Sequence, residues 1–343
     1  MMSTAIREED GTMDRKALLK PLACLGIAVL LLMMVGACGN AASEANRSSG
    51  QQPSELTVTD LEAVPLAEGE KLKVVATTNI VGDVVSKVSG DLIDLITLMG
   101  PGVDPHSYVP TPAHIAAIHD AHLVFVNGAG LETNLEETLR SAGGDAVKVA
   151  VSEGLELRQM EDPSHGGHSE DDPHVWFDVQ NVIHWVEIIR QALSTMDPEH
   201  AETYRANAAA YIRELEDLDA WVVAQVATIP EANRRLVTNH PAFGYFADRY
   251  GLEQLGAIYP VSPSSEPSAQ EIAALEDAIR QYDVPAVFTE STVNPRLAQQ
   301  VAQDTGVRLV TLYTGSLGEP GSGVESYLAL IRFNVQAIAD ALR

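Results

Sequence analysis

Three of the ten histidines in this 343-residue chain sit in unusual local company. His106 falls in Gly100-Pro-Gly-Val-Asp-Pro-His-Ser-Tyr-Val-Pro-Thr-Pro112, His174 in Asp171-Asp-Pro-His-Val-Trp-Phe-Asp178, and His240 in Thr238-Asn-His-Pro-Ala-Phe-Gly-Tyr-Phe246. Neutral imidazole is a good ligand for borderline divalent metals, and three that converge make a strong site. Proline beside each histidine restricts the backbone and gives the imidazole a defined direction. One histidine at a strand end is usually structural; three in proline-stiffened loops form a candidate metal centre. The other seven read as scaffold: His114, His119 and His122 in or after an amphipathic helix, His184 in a Trp-containing helix, His200 in the first turn of a long helix, and His165 and His168 in a solvated loop.

The elements that position these loops follow from β-branched runs alternating with helical patterns. Strands are expected at 73–77, 92–98, 123–127 and 147–151, and a second set at 235–238, 252–258, 286–289 and 308–311. Helical stretches between them argue for an α/β fold: two mainly parallel four-stranded lobes. The three histidines then follow strand carboxyl ends, where open α/β sheets bind their ligands. Between the sets lies a helical tract broken at Asp197-Pro198; Tyr204, Ala208, Tyr211, Leu215, Leu218, Val222 and Val226 recur at spacings of three and four as one apolar stripe. One long helix of ~45 Å is therefore expected to join the lobes as a stiff connector. The division is a lobe over 71–197, the connecting helix over 198–228 and a lobe over 229–343, with the metal site between the lobes.

Ahead of this body, Arg15, Lys16 and Lys20 precede an apolar run from Pro21 to Ala37 and then Cys38. The run falls short of the ~20 residues a membrane span needs, and its small-residue ending suits cleavage. Residues 1–37 read as a signal peptide, with Met13 an alternative start that would remove an acidic leader. Residues 38–70 read as a flexible tether. Cys24 and Cys38 are the two cysteines of the chain, so the body has no disulfide, thiolate ligand or cysteine nucleophile, which excludes zinc fingers, iron–sulfur clusters and blue-copper sites. The net charge of −26, from 22 basic and 48 acidic residues, argues against a nucleic-acid partner. It also attracts cations weakly.

Taken together, Gly-x-x-x-Asp-Pro-His-x-Tyr at 100–108, Asp-Pro-His-Val-Trp-Phe-Asp at 172–178, His-x-Ala-Phe-x-Tyr-Phe at 240–246, Phe288-Thr-Glu-Ser-Thr-Val-Asn-Pro295 and Leu312-Tyr-Thr-Gly-Ser-Leu-Gly-Glu-Pro320 are highly specific. From about Lys71 to its end the chain resembles the zinc/manganese-binding lipoproteins of bacterial ABC importers. The resemblance implies two lobes joined by a rigid helix, a monomer, and lipidation at Cys38 after the lipobox-like Val35-Gly36-Ala37. It implies a protein exported and held at the membrane, in a periplasm or on the outer face of the cell membrane. There it delivers a divalent metal to a membrane permease and catalyses nothing. His106, His174 and His240 match three ligand positions; histidine at the third leans towards Zn2+, with Mn2+ the alternative. At the fourth position, where many relatives have aspartate, this chain has Gly315, which has no donor side chain. Water, Glu290 and Glu319 are the candidate substitutes, Glu290 also as an acceptor that orients an imidazole. Other readings are a secreted zinc hydrolase with Glu290 as general base, a binder of chelated or organic ligands, and an adhesin with a structural metal. Against the hydrolase stands the lack of a His-Glu-x-x-His helix; against the organic ligand, an aromatic content of 5%.

Overall fold

A computed structural model describes residues 61–162, 168–259 and 266–343. The expected signal peptide, Cys38, most of the expected tether and His165 lie outside the described residues.

The first part of the chain alternates β1 (Leu72–Ala76), α1 (Asn79–Ser89), β2 (Ile93–Thr97), α2 (Pro112–Asp120), β3 (Leu123–Val126), α3 (Thr133–Ser141) and β4 (Val147–Ala150). Helix starts are chemically marked. The Thr78 hydroxyl accepts the Val81 amide at 3.1 Å, and Thr111 caps α2 with Pro112 at its first position, where the missing N–H costs nothing. The four strands form one sheet in the order β2-β1-β3-β4, parallel throughout, with Val74 opposite both Leu95 and Leu123. A polar antiparallel hairpin follows, β5 (Gln159–Asp162) and β6 (His168–Asp171). Gln-Met-Glu-Asp and His-Ser-Glu-Asp carry no alternation of apolar residues, so the sequence predicts a loop at His168 where the structure has a strand.

Two long helices come next, α4 (Val179–Met196) and α5 (Ala201–Val226). The break falls at Asp197, whose carboxylate accepts the Tyr204 hydroxyl at 2.6 Å, and a single 3-10 turn over Pro198–His200 leads into α5. All seven residues of the expected apolar stripe on α5 are buried. They pack on α4, α1 and α9, the last a C-terminal helix over Tyr327–Leu342.

The second part contains β7 (Arg235–Thr238), α6 (Gly244–Tyr250), β8 (Glu253–Ala257), α7 (Ala269–Gln281), β9 (Ala286–Glu290), α8 (Arg296–Thr305), β10 (Arg308–Leu312) and α9. The expected single sheet of four is instead two parallel pairs, β7 with β8 and β9 with β10, with β7 lying beside β9. A register shift between Leu236 and Val237 interrupts the first pair. Such a bulge raises the local twist of that pair.

Alternation along the strands divides the core into layers. Leu123 and Phe125 of β3 join one large cluster, while Val124 and Val126 face a smaller one beneath α2 and α3. On β9, Ala286 and Phe288 join that same large cluster, and Val287 faces a third beneath α7 and α8. The large cluster therefore runs without interruption from β1 through α1, α4, α5 and α9 to β9.

Candidate metal centre

His106 lies in the loop between β2 and α2, His174 just before the 3-10 turn Val175–Phe177 that leads into α4, and His240 between β7 and α6. The structure brings all three together. The Nε2 atom of His174 lies 3.1 Å from that of His106 and 3.0 Å from that of His240. The ligand atoms of the three rings all lie within 4.8 Å of one another, and this is the one such cluster of histidine, cysteine and acidic residues among the described residues. A tetrahedral ion with ~2.0–2.1 Å bonds to nitrogen separates its donors by roughly 3.4 Å. The His174 pairs are thus already close to the spacing of a shared ion.

Each of the two innermost rings is held from behind. Nδ1 of His174 faces Asp172 Oδ1 at 2.8 Å, and Nδ1 of His240 faces Glu290 Oε1 at 2.5 Å. A proton on each Nδ1, assigned from these partners, leaves the Nε2 lone pair turned towards the centre. The same carboxylate oxygens also accept the backbone N–H of His174 at 3.1 Å and of His240 at 3.1 Å. In Asp104-Pro-His106, likewise, Asp104 Oδ1 accepts the His106 amide at 3.0 Å. The repeated Asp-Pro-His tripeptide is thus a local device in which the aspartate fixes the backbone two residues on.

Glu290 therefore sits behind His240, not at the point where the Nε2 atoms meet. One of its oxygens serves His240 and the other accepts the Thr314 hydroxyl at 2.5 Å. Of the two roles read from the sequence for this residue, orientation of an imidazole fits this placement and direct ligation does not. Glu319 is exposed and outside the cluster. Gly315 has a packing reason for lacking a side chain: a Cβ there would lie 2.7 Å from Pro105 Cδ, the residue directly before His106.

Electrostatics favour neutral imidazole at two of the three positions. Burial, reinforced by the neighbouring imidazoles, pushes His106 down to about 2. His174, 1% exposed, is also lowered by burial, against the opposing pull of Asp172. For His240, burial lowers the value but the adjacent Glu290 carboxylate outweighs it and the net direction is upward. Glu290 itself is displaced downward: burial raises it, and His240 with the Thr314 hydroxyl more than offsets this.

Five other histidines have separate partners. His122 Nδ1 accepts the Lys73 amide at 2.9 Å, His184 Nε2 meets the Glu153 carbonyl at 2.6 Å, His119 Nδ1 meets the Ala142 carbonyl at 3.1 Å and His200 Nδ1 meets Asp197 Oδ2 at 2.8 Å. His114 pairs with the Tyr108 hydroxyl. Asp172 and Thr314 were not singled out by the sequence reading. The Asp-x-His spacing could have flagged Asp172, whereas no local pattern announces Thr314.

Contacts around the site join the two ends of the chain. Trp176 Nε1 donates to the Thr314 carbonyl at 3.1 Å, Asn79 Nδ2 to Ser316 Oγ at 3.0 Å, and the Tyr327 hydroxyl to the Trp176 carbonyl at 2.8 Å. Fold and site together define an α/β binding protein that gathers imidazoles from both halves of its sequence around one point.

The chain belongs to the family described as zinc-uptake complex component A, periplasmic, whose model matches residues 74–341. Members are substrate-binding proteins of metal ABC transporters and not enzymes. The manganese-binding lipoprotein MntA of Halalkalibacterium halodurans is 37% identical over 276 residues, covering 80% of this chain and 90% of the relative. Among solved structures, the periplasmic zinc binding protein TroA from Treponema pallidum is 32% identical with a TM-score of 0.73, covering 80% of this chain and 99% of that one. The Mn-bound periplasmic metal binding protein from Candidatus Liberibacter asiaticus is 27% identical with a TM-score of 0.72, covering 80% of this chain and all of that one.

Proposed function

We propose that this protein captures one divalent transition metal ion through the Nε2 atoms of His106, His174 and His240 and delivers it to the permease of an ABC importer, with zinc preferred over manganese. It acts as a monomer, tethered at the membrane by lipid on Cys38. The observation that carries the reading is the convergence of three Nε2 atoms, two of whose rings are held by carboxylates at Nδ1. Zinc is supported by the donor set. Three neutral imidazoles suit it, whereas manganese favours carboxylate oxygen. Here the nearby carboxylates are engaged behind the rings and the fourth family position is glycine. Water completes the coordination, and Glu290 orients His240.

Manganese is the second reading, because the relative MntA carries that metal in its name. Competition separates the two. The full chain, purified in detergent without an affinity tag and stripped with chelator, is offered zinc and manganese together and assayed for bound metal. Zinc at one per chain, lost in His106→Ala, is the expected outcome. Preferential manganese would reverse the metal assignment, and no retained metal would refute the three-imidazole site.

A further inference from the structure

Behind His174 the hydrogen-bond chain does not stop at Asp172. The second carboxylate oxygen of Asp172, wholly buried, accepts Nη1 of Arg158 at 2.8 Å. Nε of the same guanidinium donates to Asp248 Oδ2 at 2.6 Å. Asp248 belongs to α6, the helix that begins four residues after His240. Arg158 and Asp172 are also joined through the backbone, Asp172 N–H to the Arg158 carbonyl at 2.8 Å. The Tyr245 hydroxyl, again from α6, accepts the Arg158 amide at 2.9 Å and donates to the Asp172 carbonyl at 3.0 Å.

A second feature shows that room has been left for this side chain. Gly244, the first residue of α6, lies so close to the guanidinium that a Cβ would fall 1.7 Å from Arg158 Nη1 and 2.9 Å from Asp172 Oδ2. The seat is tight because of Arg158 first and Asp172 second, not because of backbone conformation.

We infer that Arg158 is a positioning residue of the metal centre: it fastens the segment carrying His174 to the helix that follows His240, so that imidazoles from the two halves of the chain meet at one point. The inference rests on the reading that these histidines bind the metal. Arginine suits the task because its planar fork serves two carboxylates in fixed directions, which a lysine ammonium does not. Loss of the carboxylate that supports a ligating imidazole typically weakens binding by about 10–100-fold, and Arg158, one hydrogen bond further out, is expected to act at the low end of that range.

The test is zinc affinity of the full chain, measured by competition with a chromophoric chelator, in Arg158→Met, Gly244→Ala, the double variant and Asp248→Asn. Arg158→Met is expected to weaken zinc binding about tenfold. Gly244→Ala should cost a similar factor by displacing the guanidinium, and should cost much less once Arg158 is already methionine, the Cβ contact with Asp172 being the remainder. Asp248→Asn should also weaken binding, although Asp248 touches no imidazole. Multiplying losses in the double variant would mean two unrelated perturbations and overturn the proposal. So would affinity in Arg158→Met within about twofold of the parent. If Arg158→Met fails to fold, Gly244→Ala and Arg158→Lys carry the test, the latter expected to fall between the parent and Gly244→Ala. Failure of the parent itself to bind zinc would strike the three-imidazole reading; zinc bound by the parent, lost in His174→Ala and unchanged in Arg158→Met would strike only the role of Arg158.

Discussion

A carboxylate behind an imidazole does two things: it aims the ring, and it holds a proton on the ring. Glu290 does both for His240, at 2.5 Å from Nδ1. The upward displacement of His240 means that, of the three rings, it retains a second proton to the highest pH. Metal must displace that proton, so zinc affinity should fall as pH drops through the His240 titration. Glu290→Gln removes the charge that favours the protonated ring. The onset of the fall should therefore move to lower pH, while affinity on the alkaline plateau drops about 10–100-fold through lost orientation. Titration of zinc affinity against pH in both proteins checks this, and an onset that moves to higher pH would refute it. The three histidines were legible in the sequence because each sits in a proline-marked motif. Of their supports, Glu290 was legible as a candidate acceptor behind an imidazole, whereas Asp172, Thr314 and Arg158 were not. Arg158 and Asp248 lie 90 residues apart in the chain, and only tertiary packing brings them together.

At the scale of elements, periodicity served well where one face is apolar and poorly where none is. The α5 stripe was readable at spacings of three and four and is buried as read. The eight strands of the two sets were readable from β-branched runs, but their pairing in the second set was not, since composition does not record which neighbouring strands share a hydrogen-bond ladder. The β5–β6 hairpin was invisible because Gln-Met-Glu-Asp and His-Ser-Glu-Asp carry no apolar alternation. It nonetheless matters to the site, because it lies between the end of β4 and Asp172 and so sets where the second Asp-Pro-His begins. Stability should concentrate where the helices meet. Leu215 is fully buried on α5, and Leu215→Ala is expected to destabilise the metal-free protein by about 2–5 kcal/mol through lost burial and a residual cavity. Urea unfolding measures this. A loss below ~1 kcal/mol would mean that α5 is not a central packing element.

For the molecule as a whole, the decisive feature is the uninterrupted apolar cluster from β1 to α9. Two lobes with separate cores hinge readily, whereas halves that share one core move only by repacking it. Metal loading should therefore change the radius of gyration by less than about 1 Å, and metal-free protein should unfold in one cooperative transition. Solution scattering with and without zinc, together with chemical unfolding followed by two probes, tests both statements. Non-coincident transitions would show the halves to be separable.

The same continuity has a consequence for biogenesis. The faces of α1 and α5 are covered in part by α9, the sixteen residues Tyr327–Leu342. A chain that emerges amino end first exposes those faces until its last helix arrives. The elements from β1 to β10 must then wait, incompletely collapsed, for α9 to close the interior. Closure of the interior is thus tied to the docking of α9, whose Tyr327 hydroxyl also holds the Trp176 carbonyl two residues past His174.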